Sequence, residues 1–205
     1  LDSITTGDYN VALGDEAGTA ITEGAKNVTI GFRAGKLIST GIQNVAVGSY
    51  SLDANTTGQE NIAIGNSALG SNTTASNNTA VGTKALYANT TGTSNAAFGY
   101  YALNLNTTGD ANSAVGYQAL DSNTTGTRNS AVGFQTLQAN TTGSYNAASG
   151  ATAMYSNTTG SGNTAFGFQA LNINTTGSDN VAIGHLVLDA NTTANDNVGI
   201  GNRAL

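Results

Sequence analysis

Asn112-Ser113-Ala114-Val115-Gly116-Tyr117-Gln118-Ala119-Leu120-Asp121-Ser122-Asn123-Thr124-Thr125-Gly126-Thr127-Arg128 is one copy of a unit that recurs along the whole chain. Asn112 has counterparts at 10, 27, 44, 61, 78, 95, 129, 146, 163, 180 and 197, and every step is 17 residues. With this Asn as position 0, position 4 is always Gly. Position 2 is Ala in ten of twelve units and position 3 is apolar in eleven, Ser149 being the exception. Position 7 is Ala in nine units, and position 8 is Leu or Met in ten. Asn-Thr-Thr starts at positions 55, 72, 89, 106, 123, 140, 157, 174 and 191, with Gly next in seven of the nine. Such strict self-similarity is the mark of a repeat architecture.

The period decides the shape. Seventeen residues are too few for the two helices of the common helical repeats. A Gly in every unit would also cost a helix about 1 kcal/mol each time. Gly and Asn instead punctuate the chain into turns. Two short segments remain per unit, Ser113–Val115 and Gln118–Leu120, and both are expected to be strands. Winding the chain once per unit brings each strand beside its own copy about 4.8 Å away, in parallel. The fold class expected is therefore all-β, a parallel β-solenoid of about twelve 17-residue coils, roughly 60 Å long at that spacing.

Alternation along a strand assigns the faces. The apolar position 3 and the Leu column (Leu52, Leu69, Leu86, Leu103, Leu120, Leu137, Leu171, Leu188) are expected to fill the coil. The Ala column (Ala12, Ala46, Ala63, Ala80, Ala97, Ala114, Ala131, Ala165, Ala182) then faces a partner subunit, a tight coil interior being the alternative for so small a side chain. Two large apolar residues per coil are a thin core, worth about 1.5–3 kcal/mol each. Ordering costs roughly 1 kcal/mol or more per residue, so coils must stack, and a second buried surface helps.

Asn44, Asn61, Asn78, Asn95, Asn112 and Asn129 are read as a structural ladder of stacked amides. Gly48, Gly65, Gly82, Gly99, Gly116 and Gly133 are read as turn glycines. In Asn-Thr-Thr-Gly, Asn and Thr can bond their own backbone while Gly takes a positive φ. The same tripeptide is a glycosylation sequon, but acceptors one coil apart stand closer than a sugar chain is wide, so at most sporadic use is expected. The two Thr are adjacent, so a strand would turn only one outward, which disfavours the two-rank Thr face used to bind ice.

Composition bounds the function. Only 9% of residues are charged, against about 25% in ordinary domains, and there is no Cys, Pro or Trp. The formal net charge is −6 and the six basic residues (Lys26, Arg33, Lys36, Lys84, Arg128, Arg203) are scattered, unlike the clustered basic face that nucleic acid requires. No apolar run is long enough to span a membrane, and no signal peptide is visible. Asp53, Asp121 and Asp189 share one phase but lie four coils apart, so no metal site is expected. His185 is the only His and has no acid pair beside it in sequence. No cofactor, metal or catalytic residue is expected, and the chain reads as a non-enzyme. Tyr100, Tyr117 and Phe134 fall on consecutive coils at position 5. They are candidates for contact with a sugar or a partner, the plainer reading being an aromatic ladder that protects the coil edge.

The run Asn44-Val45-Ala46-Val47-Gly48, repeated as Asn61-Ile62-Ala63-Ile64-Gly65, resembles the head repeat of trimeric autotransporter adhesins. With Asn-Thr-Thr-Gly added, the unit is similar to repeats of phage tail-fibre and bacterial surface-fibre proteins. The resemblance covers the whole chain, although the adhesin unit is usually somewhat shorter. It implies a left-handed parallel β-roll and three chains about one axis. It also implies an adhesive role towards a cell-surface glycan or receptor, with an extracellular, cell-surface or virion location. The chain is expected to be one array over 1–205, with divergent coils over 1–43 and regular ones over 44–205. The divergent coils carry Ile21-Thr22-Glu23-Gly24 and Ile38-Ser39-Thr40-Gly41 in place of Asn-Thr-Thr-Gly. A start at Leu1 rather than Met, and Leu1 and Leu205 standing in one phase without a cap, suggest a processed chain or a segment of a longer fibre. The function expected is a shaft or head segment that mediates attachment. The alternatives are a monomeric ice-binding solenoid and an open-ended filament.

Overall fold

In a computed structural model, which describes residues 3–204, the chain winds into a rod of stacked parallel coils with no helix among the described residues. Each unit supplies one strand: β1 (Val11–Leu13), β2 (Val28–Ile30), β3 (Val45–Val47), β4 (Ile62–Ile64), β5 (Thr79–Val81), β6 (Ala96–Phe98), β7 (Ser113–Val115), β8 (Ser130–Val132), β9 (Ala147–Ser149), β10 (Thr164–Phe166), β11 (Val181–Ile183) and β12 (Val198–Ile200). All twelve form a single parallel sheet in chain order. The register follows the period, with Ser113 opposite Ser130, Ala114 opposite Ala131 and Val115 opposite Val132. The fold class read from the period is the fold observed. The phase relation of Leu1 and Leu205 lies outside the described residues.

The second expected strand is absent. Gln118–Leu120 is a pair of turns, closed by Ala119 N–H to Gly116 O (3.5 Å) and Asn123 N–H to Leu120 O (3.1 Å). Gln118 and Leu120 are left-handed, with φ of 52° and 53°. The cause is a demand a strand cannot meet. Ala119 and Leu120 are neighbours in sequence and both are buried, whereas an extended chain sends neighbours to opposite faces. The left-handed Leu costs about 1–2 kcal/mol, which burying a side chain of that size at about 1.5–3 kcal/mol offsets. The coils remain tied here, because Leu120 N–H donates to Thr136 O at 3.0 Å and Ser122 N–H to Gln138 O at 3.1 Å.

The faces of the sheet are opposite to those expected. Position 2 points inward, and Ala46, Ala63, Ala80, Ala97, Ala114, Ala131, Ala165 and Ala182 are fully buried inside their own coil. Ala12, in the first coil, is half-buried. Position 3 points outward, with Ile64, Val115, Val132, Phe166 and Ile183 at 40–45% exposure. The Leu column is interior as expected, with Met154 taking its place in the ninth coil. Width is the reason. Position 0 Asn, position 2 Ala, position 7 Ala, position 8 Leu and position 11 Asn all turn inward, and a coil of 17 residues has no room for a Val or Ile as well.

The first coils solve the same problem differently. Gly18 and Gly35 replace the Leu of position 8, and Ile21 and Ile38, both fully buried, replace the Asn of position 11. A Cβ on Gly35 would stand 2.8 Å from Ile38 Cδ1, so Ile occupies the space that Leu fills elsewhere.

Candidate functional site

Two amide ladders run along the rod interior. At position 0, Asn112 Nδ2 donates to Asn95 Oδ1 (3.2 Å) and to Gly126 O (2.8 Å), and its own Oδ1 accepts from Asn129 N–H (3.0 Å) and Asn129 Nδ2 (3.1 Å). Asn44, Asn61, Asn78, Asn95 and Asn129 are buried in the same column. The second ladder, at position 11, is one that sequence reasoning assigned to turn chemistry alone. Asn123 Nδ2 donates to Asn106 Oδ1 (2.8 Å) and Gly126 O (3.0 Å). Buried amides cost free energy unless paired, and here each column supplies its own partners.

The turn glycines divide by cause. Gly48, Gly65, Gly82, Gly99, Gly116 and Gly133 have φ between 129° and 139°. A Cβ at Gly116 would overlap the Gly133 carbonyl and lie 2.7 Å from its carbon. That column therefore packs on itself from coil to coil. Gly126, in Asn-Thr-Thr-Gly, has no positive φ. It is Gly because a Cβ would overlap Asn123 Oδ1 and lie 3.1 Å from Asn129 Nδ2.

The sequons lose their acceptors to the interior. Asn55, Asn72, Asn89, Asn106, Asn123, Asn140, Asn157 and Asn174 are fully buried. Asn77, in Asn77-Asn78-Thr79, is exposed. Folded rods treated with an oligosaccharyltransferase are expected to carry glycan at Asn77 and none at Asn123, as read by mass spectrometry of peptides. Modification at Asn123 would contradict the buried ladder. Of the two Thr, Thr124 commits its hydroxyl to Thr141 O (3.0 Å), while Thr125 is exposed.

Tyr100, Tyr117 and Phe134 stack face to face along the axis, Tyr100 on Tyr117 at 5.4 Å and 6°, Tyr117 on Phe134 at 5.3 Å and 10°. Tyr101 packs on Tyr100 at 4.4 Å. Tyr117 is thus stacked on both faces, and Phe134 on one. Phe168 stacks on His185 at 5.4 Å, and His185 Nδ1 lies 3.1 Å from Asn202 Oδ1.

Charges gather across the divergent coils and the first regular one, a cluster that scattered sequence positions concealed. Lys36 Nζ lies 2.6 Å from Glu16 Oε2, and Arg33 bridges Glu16 and Asp53 at 3.4 Å each. The hydrogen bond from Lys36 lowers the Glu16 pKa, whereas burial raises that of Asp53 against the pull of Arg33. Asp121 stands between Asn104 and Gln138 in neighbouring coils, and burial raises its pKa. Asn104 Oδ1 and Asp121 Oδ1 are buried without partners. A raised carboxyl binds its proton more tightly in the folded chain, so its contribution to stability falls as pH rises from the ordinary carboxylate range through the raised pKa. Asp121→Asn is expected to raise the melting temperature at pH 7 and to do little once the acid is protonated. A lower melting temperature at pH 7 would contradict that.

No group of three or more metal-ligating side chains and no enclosed cavity occurs among the described residues. Among the described residues no helix is long and apolar enough to cross a membrane. What stands out is the sheet face itself, where positions 1 and 3 of every coil form a continuous outward stripe, apolar at position 3 in all units but the ninth. The chain matches no family model, no curated protein and no solved structure.

Proposed function

We propose that the chain is a structural segment of an extracellular fibre on a bacterial surface or a virion, assembled as a homotrimer whose three rods pack their sheet faces around a common axis. The observation that carries this reading is the outward stripe. Eleven apolar side chains at position 3, most near two-fifths exposed, line one face along the rod, interrupted at Ser149. A contiguous exposed apolar stripe of this kind marks an interaction site. An identical rod offers the same coil spacing, so each apolar rung finds an apolar rung at every turn, which no partner of another period could sustain along the rod. The resemblance to trimeric adhesin repeats supports three as the number. Attachment to a cell-surface glycan or receptor is the role such a fibre serves.

Multi-angle light scattering tests the assembly. The chain mass is 20.4 kDa, and the expected species is three chains. Val115→Asp with Val132→Asp is expected to dissociate it while leaving the coils stacked, because both side chains point away from the coil interior. A monomer at micromolar concentration would overturn the trimer. Thermal hysteresis in such a monomer would favour an ice-binding face built on the Thr125 rank, and rods of indefinite length in electron micrographs would favour an open-ended filament.

A further inference from the structure

The aromatic ladder at position 5 has one rung missing. Its residues run Tyr100, Tyr117, Phe134, Ala151, Phe168, His185 on six successive coils. The same coil is also small at position 3, with Ser149 where its neighbours have Val132 below and Phe166 above. Phe134 is stacked on Tyr117 from below, and Phe168 on His185 from above. Neither ring stacks on an aromatic ring on its other side, and the two stand one coil to either side of Ala151. Both rings are about half exposed, at 51% and 47%.

We propose that this gap is a binding slot for a single saccharide ring, held between the faces of Phe134 and Phe168 over Ala151. Two coil rises separate the rings by roughly 9.6 Å, and subtracting van der Waals half-thicknesses leaves about 6 Å of free height. A flat aromatic ring would leave part of that height empty. A chair-shaped sugar ring, with C–H bonds on both faces, fills it and meets an aromatic face on each side. The edges of the slot are polar. Position 6 places the half-buried Gln135 and Gln169 on the coils that carry the two rings, with Thr152 between them. Gln135 Nε2 donates to Gln118 Oε1 at 2.9 Å, which leaves its own carbonyl oxygen to accept from a sugar hydroxyl. Thr152 is committed to Ala151 O at 2.8 Å. The array's low charge favours a neutral ligand over a nucleotide. The slot is built by one chain and stands whether or not three chains assemble, so a failure of the trimer and a failure of the slot are distinguishable.

The test is an NMR titration of the full chain with methyl β-D-glucopyranoside, methyl β-D-galactopyranoside and N-acetylglucosamine, and with phenol as a flat competitor. At least one pyranoside is expected to shift the ring protons of Phe134 and Phe168 and to leave those of Phe32 in place, since Phe32 packs edge-on to Tyr50 elsewhere on the rod. Ala151→Phe supplies the missing rung and is expected to weaken binding at least tenfold while the rod melts no lower than the parent. Phe168→Ala removes one wall and is expected to weaken binding comparably. The proposal is overturned if no pyranoside shifts the two rings, if phenol binds more tightly than every sugar, or if Ala151→Phe binds as well as the parent.

Discussion

Gly116→Val is expected to split the rod at its middle, with a loss of about 4 kcal/mol or more, among the largest effects a single substitution produces. Gly116 has φ 139°, a region open to Gly and strained by about 1–3 kcal/mol for other residues. The new Cβ would also overlap the Gly133 carbonyl of the next coil. That obstruction is backbone, which cannot rotate aside as a flexible side chain could. Solenoid stability is a sum of unit and nearest-neighbour terms, so the damage stays local and the two flanking stacks survive. Melting is expected to become two-step. Amide exchange should lose protection first at Gly133 N–H, which bonds Val115 O at 2.8 Å. Ser113→Ala, outward in the same coil, is the control and should change little. A single unshifted transition in Gly116→Val would show that the coils do not approach this closely.

Asn129→Leu is the second large effect. Leu keeps much of the volume but strands one buried donor and takes a partner from two buried acceptors. Gly143 O loses a donor at 2.8 Å, Asn112 Oδ1 loses one at 3.1 Å, and Asn146 N–H loses its acceptor at 3.0 Å. Asn112 Oδ1 still accepts from Asn129 N–H at 3.0 Å and Gly143 O from Asn140 Nδ2 at 3.0 Å, so Asn146 N–H is the group left without a partner. At about 1–3 kcal/mol for the orphaned donor, with the two weakened acceptors added, a destabilisation of roughly 2 kcal/mol or more is expected in denaturant melts. A neutral result would mean that the amides are reached by water and that the ladder contributes little.

The period, the parallel register and the column of buried Leu were legible because each rests on the 17-residue repeat of residues such as Asn112 and Leu120. The direction of the sheet was not. Ala114 and Val115 alternate, and alternation alone is satisfied with either one inward. Preference for large apolar interiors chose Val115, whereas the narrow coil, already filled by Leu120, Ala119 and the two Asn ladders, accepts only Ala114. The false second strand had a visible contradiction in sequence. Ala119 and Leu120 are adjacent and both recur as small and large apolar residues, which an extended chain cannot bury together. The burial of the Asn-Thr-Thr acceptors was hidden for a different reason. Asn123 reads as a turn residue, and only stacking reveals that its amide bonds its copy in the coil before it. The gap over Ala151 was present as one departure from the unit, Ser149, beside a small residue in the variable position 5, but its meaning required the face-to-face stacking of the rings in the coils before and after.

The claim beneath all of this is that residues seventeen apart are stacked neighbours. Nitroxide labels on cysteines placed at Thr125 and Thr142, both exposed and one coil rise of about 4.8 Å apart, test it directly by continuous-wave electron paramagnetic resonance. Strong dipolar and exchange broadening is expected for that pair, and none for labels at Thr125 and Phe134, which occupy different positions of the coil. Equal spectra from the two pairs would contradict the wound, in-register rod.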